Sequence, residues 1–410
     1  MKILIVSTSD IYGGAAVAAS RLMKAMHFCG ESAKMTVRDK RSDDPDVFSA
    51  GNGHKNKYNF YWERGAIFLQ NRLSKENLFD VSIANTGNSI TRLPLFREAD
   101  IIHLHWINQG MLSIREIEQI LTSGKKVIWT MHDMWPFTGI CHHAGACRNY
   151  ERSCGSCPYL IAASPGDLSH RVFLKKQAAY GKGKITFVAC SNWLKELATK
   201  SPLTRGHTVV SIPNPIDTRA YCPKDKSEAR RRLNLPEDRK IVLFAAVKTS
   251  DPRKGIDYLL EASRLIAKHP NNILFLIAGN NGEEMEKRLS QPAHSLGFIP
   301  PAKMADVYNA ADLFVTPSLQ ENLPNTLMEA MACGTPCVGF STGGIPEMIS
   351  HGKNGYLVKY KNAEDLAKGI LWTLYSADSE TLSSNAREKA VLEYSQETVA
   401  MQYRKIYETK

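Results

Sequence analysis

The chain has 410 residues, of which 43% are hydrophobic and 23% are charged, a composition typical of globular proteins. This length exceeds that of one ordinary hydrophobic core and predicts two domains. No apolar run approaches the roughly 20 residues that cross a membrane. The first residues read as a strand without a signal peptide, so a cytoplasmic protein is expected.

The formal net charge of +11 is spread unevenly along the chain. Residues 1–200 hold 26 Lys and Arg against 17 Asp and Glu, a surplus of 9, whereas the remainder holds 26 against 24, a surplus of 2. A basic N-terminal half suits approach to an anionic surface, either phospholipid or lipid-linked phosphate. Because no nucleic-acid motif with the expected spacing accompanies it, nucleic acid is not expected as a partner.

The first predicted element is a strand at Lys2–Ser7, which leads through Gly13 and Gly14 into a helix. Glycines at such a turn allow close backbone approach, and the amides of Gly14 and Ala15 could face an anion. A purely structural tight turn explains the pair equally well, because the full three-glycine fingerprint is absent.

Residues 51–98 are harder to interpret. His54–Arg64 mixes basic and aromatic residues, which suits a patch that meets an acceptor or a membrane surface. A helix half-buried against the domain is the simpler interpretation.

A regular alternation follows, with a strand at Ala99–Trp106, a helix at Ser113–Leu121 and a strand at Lys126–Met131. Such alternation predicts a doubly wound parallel sheet. His132 then lies at the carboxyl end of a strand, where a substrate contact competes with an ordinary structural role.

Four of the nine cysteines fall within 17 residues and end in a C-x-x-C knuckle. They are Cys141, Cys147, Cys154 and Cys157. Because a cytoplasmic chain does not normally hold disulfides, this spacing predicts a structural zinc site with four thiolate ligands. His142 or His143 could replace one cysteine, and a disulfide pair or free thiols is the alternative.

The domain boundary is predicted after the Pro-Asn-Pro turn that follows the strand starting at Thr208. We therefore expect a first domain at 1–215 with the cysteine-rich insert at 141–157, and a second domain at 216–390. Residues 391–410 are expected to form a helix that packs back toward the first domain.

The second domain repeats the alternation of strands and helices. Its predicted strands are Ile241–Ala246, Ile273–Ala278, Leu313–Thr316 and Pro336–Phe340. Arg253 and Lys254 lie in the loop after the first of these strands and could contact an anion, although a solvated basic turn is the alternative.

Glu321 and Glu329 are the acidic residues that stand out in this domain. Glu321 lies in the loop after the strand at Leu313–Thr316, and Glu329 lies on the second turn of a helix that begins near Pro324. The amides of Asn325–Leu327 at that helix start suit an anion, and a neighbouring carboxylate suits sugar hydroxyls. Two solvated side chains are the alternative.

These features resemble the retaining, nucleotide-sugar-dependent glycosyltransferases of the GT-B fold, family 4, over essentially the whole chain. The matching segments are Gly13–Gly14, Thr130–Asp133, Ile212–Asp217, Asp251–Gly255, Ala310–Leu313, the Glu321/Glu329 pair and Glu329–Pro336. The cysteine-rich insert narrows the resemblance to transferases of bacterial exopolysaccharide clusters of the colanic-acid type.

The resemblance implies two doubly wound Rossmann-like domains facing a central cleft, with a UDP- or GDP-sugar donor bound mainly by the second domain. It implies Glu329 on the ribose hydroxyls, Glu321 on the donor-sugar hydroxyls and Lys254 on the diphosphate. His132 would lie near the reacting sugar, as a catalytic residue with Lys254 and Glu321. The donor-binding set would be Gly13, Gly14, Arg253, Lys254, Glu321, Asn325, Thr326, Leu327 and Glu329.

The resemblance also implies retention through a front-face route, in which the leaving phosphate takes the acceptor proton and no carboxylate acts as nucleophile, unlike retaining glycosidases. No catalytic metal is expected, because the one Asp-x-Asp pair, Asp44–Asp46, reads as part of a charged loop. The acceptor would be a glycan or a polyprenyl-diphosphate-linked oligosaccharide, with peripheral contact at the inner face of the cytoplasmic membrane.

Two positions depart from the family pattern. Thr249 stands where the family has a phosphate-binding arginine, and Asn-Leu-Pro follows Glu321 where Gly-Phe-Gly is frequent. Rival functions are a GT-B nucleotide-sugar epimerase, a phosphorylase, and a non-catalytic binder of anionic lipid or nucleic acid, which steeply salt-dependent binding would reveal.

Overall fold

The computed structural model describes residues 1–268, 270 and 272–409. The chain divides into two compact units. The first comprises Met1–Pro213 together with the residues from Val399 onward, and the second comprises Asn214–Thr398.

The first unit alternates strands and helices from its first residues. In chain order these are β1 (Lys2–Ser9), α1 (Gly14–Phe28), β2 (Ser32–Asp39), β3 (Val47–Ser49), α2 (Gly53–Gln70), α3 (Pro94–Glu98), β4 (Ile101–Leu104), α4 (Ile114–Leu121), β5 (Lys126–Met131), α5 (Leu168–Tyr180), β6 (Ile185–Ala189), α6 (Asn192–Thr199) and β7 (Thr208–Ser211).

The seven strands form one parallel sheet in the order β3-β2-β1-β4-β5-β6-β7. The strand order reverses between β1 and β4. Since ligands of open α/β sheets bind beyond the carboxyl ends of the strands at such a point, the segments that follow β1, β4 and β5 are the place to look for function in this unit.

Both faces of this sheet are buried, because successive strand residues point to opposite faces. Leu4 and Val6 of β1 enter one core with the side chains of α4 and α5, whereas Ile3 and Ile5 enter a second core with α1. The second core also contains Val399, Ala400, Tyr403 and Tyr407 near the end of the chain.

The second unit repeats the architecture. Its elements are α7 (Lys226–Arg232), β8 (Lys240–Lys248), α8 (Ile256–Ile266), β9 (Ile273–Asn280), α9 (Gly282–Arg288), β10 (Ala293–Ser295), α10 (Met304–Ala310), β11 (Leu313–Thr316), α11 (Asn325–Ala332), β12 (Cys337–Phe340), α12 (Ile345–Met348), β13 (Gly355–Val358), α13 (Ala363–Leu371), α14 (Ser379–Tyr394) and α15 (Gln396–Glu408), of which the residues from Val399 onward belong to the first unit. Its six strands are parallel, in the order β10-β9-β8-β11-β12-β13.

The predicted fold class of two doubly wound parallel α/β domains is confirmed. The structure adds four strands that the sequence patterns did not indicate, β2, β3, β10 and β13. Helix α13 gives way to a π-helical turn at Trp372–Ser376. No helix within the described residues combines the length and apolarity needed to span a bilayer.

Candidate active site

In the second unit, the loop after β8 and the loop after β11 are in close backbone contact. Each of them carries a predicted site residue. Lys254 ends a short 3-10 turn, and Gly255 follows it in the left-handed region at φ 69°. A Cβ at Gly255 would lie 1.8 Å from the carbonyl oxygen of Pro317, in the loop after β11. The backbone amide of Leu319 donates to the Arg253 carbonyl at 2.7 Å. The close approach of the two loops therefore requires glycine at position 255.

This close approach brings Lys254 and Glu321 into contact. Lys254 Nζ lies 2.5 Å from Glu321 Oε1, with both side chains mostly buried. The two charges neutralise each other in a half-buried setting, where a charge-assisted hydrogen bond is strong. An ammonium and a carboxylate are thus held side by side at the carboxyl ends of β8 and β11.

A third loop, the one after β12, contacts the backbone of Glu321 and Asn322. The sequence patterns did not indicate this loop. Gly343 follows β12 at φ +56°, and a Cβ there would lie 1.7 Å from the Glu321 carbonyl oxygen. The amide of Gly344 donates to the Asn322 carbonyl at 2.8 Å. The glycine pair after a predicted strand was the available sequence signal, the same signal that Gly13 and Gly14 give after β1.

Helix α11 starts directly after the loop that follows β11, with Pro324 at its N-cap. Its first-turn amides belong to Asn325, Thr326 and Leu327, and such amides have no intrahelical partner. The Asn214 side chain, from the Pro-Asn-Pro turn, donates to Asn325 Oδ1 at 3.1 Å. This N-terminus can receive an anion.

Glu329 lies on the second turn of α11 and is buried, with 8% of the residue exposed. Its Oε2 accepts a hydrogen bond from the hydroxyl of Tyr308 at 2.7 Å. Tyr308 is itself fully buried, and burial together with the Glu329 carboxylate raises its pKa well above the usual range. The interpretation of Glu329 as a solvated surface residue is therefore wrong, and Tyr308 is a neighbour that the sequence patterns did not indicate.

The side chain of Arg253 pairs with Asp251, whereas that of Lys254 pairs with Glu321. Its guanidinium donates to the Asp251 carboxylate at 2.8 and 3.1 Å, and about half of the side chain is exposed. Although burial alone raises the pKa of Asp251, hydrogen bonds from Arg253 hold it below the usual value. Thr249, at the position of the missing arginine, is buried and donates to the Asn280 carbonyl at 3.0 Å.

In the first unit, Gly13 and Gly14 lie at the start of α1. Gly13 is the N-cap, at φ 94°. Just before the turn, Asp10 accepts hydrogen bonds from the amides of Arg41 and Ser42. Burial disfavours the charged form of Asp10, whereas these hydrogen bonds favour it. The net result is a lowered pKa for Asp10.

His132 follows β5, next to the end of β4. Its Nε2 lies 2.9 Å from Nδ1 of His105, and its Nδ1 lies 3.7 Å from the sulfur of Cys190. Burial lowers the pKa of His132 to about 4, although Asp133 opposes this shift. The ring is therefore neutral near neutral pH.

The zinc prediction is not supported. Among the described residues, no group of three or more His, Cys, Asp or Glu side chains could hold a metal ion. None of the four clustered cysteines is in a disulfide, so the disulfide alternative is also wrong. These four cysteines line one small cavity of about 10 Å³. Burial raises the pKa of Cys154 to about 12 and that of Cys157 to about 11.

His142 does not join this cluster. Its Nδ1 lies 2.6 Å from the Asp133 carboxylate, and its Nε2 lies 3.0 Å from Ser82 Oγ. Burial by itself would raise the pKa of Asp133. The neighbouring His142 and His143 outweigh this effect and lower the pKa to about 2. Since both ring nitrogens of His142 are occupied, the suggestion that it replaces a cysteine ligand is wrong.

Comparison with known proteins identifies the second unit. Residues 225–389 match the family described as Glycosyl transferases group 1. A D-inositol 3-phosphate glycosyltransferase of Geodermatophilus obscurus is 35% identical over 195 residues, which cover 44% of this chain and 42% of that protein. The chain thus spans less than half the length of this relative.

Solved structures resemble the entire chain. Sucrose-phosphate synthase from Thermosynechococcus elongatus superposes with a TM-score of 0.68 at 21% identity and covers 99% of this chain and 98% of its own. Anabaena HepE, solved in complex with UDP and glucose, gives a TM-score of 0.66 at 18% identity, with 99% of each chain covered. At these identities the likeness shows the fold, which is that of GT-B glycosyltransferases.

Proposed function

We propose that the chain is a retaining glycosyltransferase that moves a sugar from a nucleoside diphosphate donor to a glycan or lipid-linked oligosaccharide in surface polysaccharide synthesis. The family match of residues 225–389 supports the reaction class. The observation that carries the proposal is the Lys254–Glu321 pair, fixed by two glycine contacts in the same unit as the N-terminus of α11. A cation, a helix N-terminus and a carboxylate together suit a sugar attached to a diphosphate.

The proposed division of labour follows from charge. The diphosphate is anionic, so it is bound by Lys254 and the amides of Asn325, Thr326 and Leu327. When the ammonium group of Lys254 binds the diphosphate, it no longer pairs with Glu321. The Glu321 carboxylate can then accept hydrogen bonds from hydroxyl groups of the donor sugar. Glu329 accepts from the ribose hydroxyls, with Tyr308 fixing the orientation of its carboxylate.

The chemical step in this proposal relies on charge stabilisation. The bond between the sugar and the diphosphate lengthens while Lys254 and the helix amides stabilise the negative charge of the leaving phosphate. The acceptor hydroxyl attacks from the same face and passes its proton to that phosphate. In this proposal Glu321 accepts hydrogen bonds from the donor sugar and does not act as a nucleophile. His132, Gly13 and Gly14 keep the roles that the resemblance implies for them.

The donor base is proposed to be uracil, with guanine as the alternative. HepE, which resembles the whole chain in fold, was solved with UDP and glucose. UDP-glucose is therefore the first donor to test.

The acceptor is proposed to carry phosphate, because a basic cavity of about 720 Å³ opens in the first unit. Basic side chains outnumber acidic ones in its lining by four to two. The charged and aromatic lining residues are Arg38, Asp39, Lys40, Arg41, Asp43, Lys57, Phe60 and Tyr61. The neighbouring face of α2 exposes Tyr58, Tyr61 and Trp62. Basic and aromatic groups together suit a polyprenyl diphosphate and peripheral contact with the anionic inner face of the cytoplasmic membrane.

A screen of UDP-, GDP- and ADP-sugars by thermal shift and turnover tests this function. We expect one class of donor to raise the unfolding temperature and to release nucleoside diphosphate faster when an acceptor glycan is added. Release that needs inorganic phosphate would identify a phosphorylase instead, and donor isomerisation without an acceptor would identify an epimerase. Absence of any thermal shift with all three donor classes would refute the donor site.

A further inference from the structure

Three histidines from neighbouring strands of the first unit form a continuous buried stack. The rings of His103, on β4, and His105, directly after β4, lie with centroids 4.5 Å apart. The rings of His105 and His132 lie 5.1 Å apart and nearly parallel, at 23°. His103 is 0% exposed and His105 is 3% exposed. The stack therefore connects the interior of the sheet with its carboxyl edge, where His132 lies.

Two tyrosines of α15 hold the inner end of this stack. The Tyr407 hydroxyl lies 2.6 Å from His103 Nδ1. His103 Nε2 lies 2.8 Å from Thr130 Oγ1, which in turn lies 2.8 Å from the Tyr403 hydroxyl. Both nitrogens of His103 are thus fixed, so the ring has one orientation. His105 packs against a ring that cannot turn.

The hydrogen bond between His105 and His132 selects one tautomer of each ring. Burial lowers the pKa of His105 well below its usual value and that of His132 to about 4, so each neutral ring carries one proton. His105 Nε2 is buried and has no hydrogen-bond partner among the described residues. A buried N–H without an acceptor is rarer than an unpaired lone pair, which places the proton of His105 on Nδ1. His105 then donates to Nε2 of His132, whose own proton must lie on Nδ1.

We propose that His105 is a positioning residue that holds His132 in the Nδ1-protonated tautomer and in one ring orientation, and that α15 secures this arrangement through Tyr407 and Tyr403. This inference rests on the proposed function, because it assigns to the stack the task of presenting His132 to the reacting sugar. The C-terminal helix becomes part of the site's support although it touches no substrate in this proposal.

A matched pair of substitutions at His105 tests the hydrogen bond separately from the packing. Asparagine can place its Nδ2–H where the His105 Nδ1–H lies, whereas leucine has the same branching and no donor. In 15N-histidine-labelled protein, we expect His132 to show a protonated Nδ1 in the wild type and in His105→Asn. In His105→Leu we expect both tautomers. The His132 signals are assigned by their loss in His132→Gln.

Turnover is measured on the same proteins. We expect kcat to fall about 10-fold in His105→Leu while the donor KM changes less than about twofold, and His105→Asn to recover most of kcat, because only the orientation of a group at the reacting sugar has changed. An unchanged His132 tautomer in His105→Leu overturns the inference, as does a His105→Asn variant that behaves like His105→Leu in tautomer and kcat. Unchanged kcat in His105→Leu overturns it as well.

A second variant guards against loss of folding at position 105. Tyr407→Phe removes one hydroxyl from His103 and should shift the His132 tautomer and kcat in the same direction as His105→Leu. Tyr356→Phe is its control, because that hydroxyl binds Asp365 in the second unit and its loss should move neither readout. The NMR comparison needs no substrate. A wild-type protein without transferase activity would therefore refute the proposed function, while the tautomers still decide whether His105 holds His132.

Discussion

Among single residues, Glu329 shows most directly how burial assigns a role. A carboxylate on the second turn of a helix is usually solvated, yet this one is buried beneath α10 with the hydroxyl of Tyr308 on one oxygen. Burying a charged group is unfavourable unless hydrogen bonds compensate. An arrangement of this kind is therefore expected where the carboxylate has a ligand to bind.

We predict that Glu329→Gln lowers kcat/KM for the nucleotide sugar about 10- to 100-fold, because hydrogen bonds to a charged acceptor contribute about 1.5–3 kcal/mol. Tyr308→Phe should cause a smaller loss, since the carboxylate remains and only its orientation is released. Steady-state kinetics with thermal unfolding as the folding check measures both. Wild-type kinetics in Glu329→Gln would remove this residue from the donor site.

Lys254 forms an ion pair with Glu321, a proposed sugar-binding residue. We predict that Lys254→Met lowers kcat about 100-fold or more, because it removes a charge that stabilises the leaving diphosphate. Lys226→Met is the matched control, since Lys226 forms a comparable ion pair with Asp312 at 2.7 Å in the same unit. Equal effects of the two substitutions would indicate general loss of stability and not a catalytic role.

Among the elements, the loops after β8, β11 and β12 matter more than the helices, because they fix where Lys254 and Glu321 lie. Two of the contacts between these loops depend on glycines with positive φ. The conformation and the space both exclude a side chain at Gly255 and Gly343. The rigidity of the site is therefore built into backbone contacts, which supports pre-organised charge.

We predict that Gly343→Ala displaces the Glu321 backbone, because the added Cβ would lie 1.7 Å from its carbonyl oxygen. Donor KM should rise about 10-fold or more as the Lys254–Glu321 pair is disturbed. Gly352→Ala is the control, since Gly352 has φ +75° with no atom within 4 Å of the added Cβ. Both substitutions strain the backbone similarly, so equal KM values in the two variants would contradict the prediction.

At the scale of the whole molecule, part of the surplus of basic residues in the N-terminal half lies on the exposed face of α2. Lys55, Lys57, Tyr58 and Trp62 lie on exposed positions of α2, whose opposite face is buried through Asn56, Asn59 and Glu63. A helix with one packed face and one basic, aromatic face suits an anionic membrane surface. The prediction of a half-buried helix is confirmed, whereas an interfacial patch on its exposed face stays a prediction.

We predict that the protein binds vesicles containing phosphatidylglycerol and that binding weakens as salt is added, because screening reduces the attraction of exposed charges. The double substitution Lys55→Glu and Lys57→Glu should weaken binding about 10-fold or more, at about 1 kcal/mol per basic residue. Lys368→Glu, on α13 of the second unit, serves as the control. Vesicle sedimentation would refute the membrane proposal if the double variant bound as well as the control.

The sequence by itself determined the fold class and most of the buried strands that lie inside the two sheets. Strands such as β5 and β11 are short apolar runs bounded by turn residues, and they were predicted with the bounds that the structure shows. Strands β3 and β10 have three residues each and lie at sheet edges. They have too few side chains to form a period, so only pairing with a neighbouring strand reveals them.

The same limit applies to the site. The sequence indicated Glu321, Glu329 and Lys254 because each follows a recognisable strand or helix signal. It could not indicate that the Tyr308 hydroxyl binds Glu329 or that Gly343 contacts the backbone of Glu321. Nor could it indicate that Tyr407 binds His103, 304 residues away along the chain. Zinc was predicted from cysteine spacing alone, whereas no group of three or more His, Cys, Asp or Glu side chains among the described residues is placed to hold a metal ion. Local patterns determine which elements form, but contacts between distant segments are decided by packing, which only the tertiary structure contains.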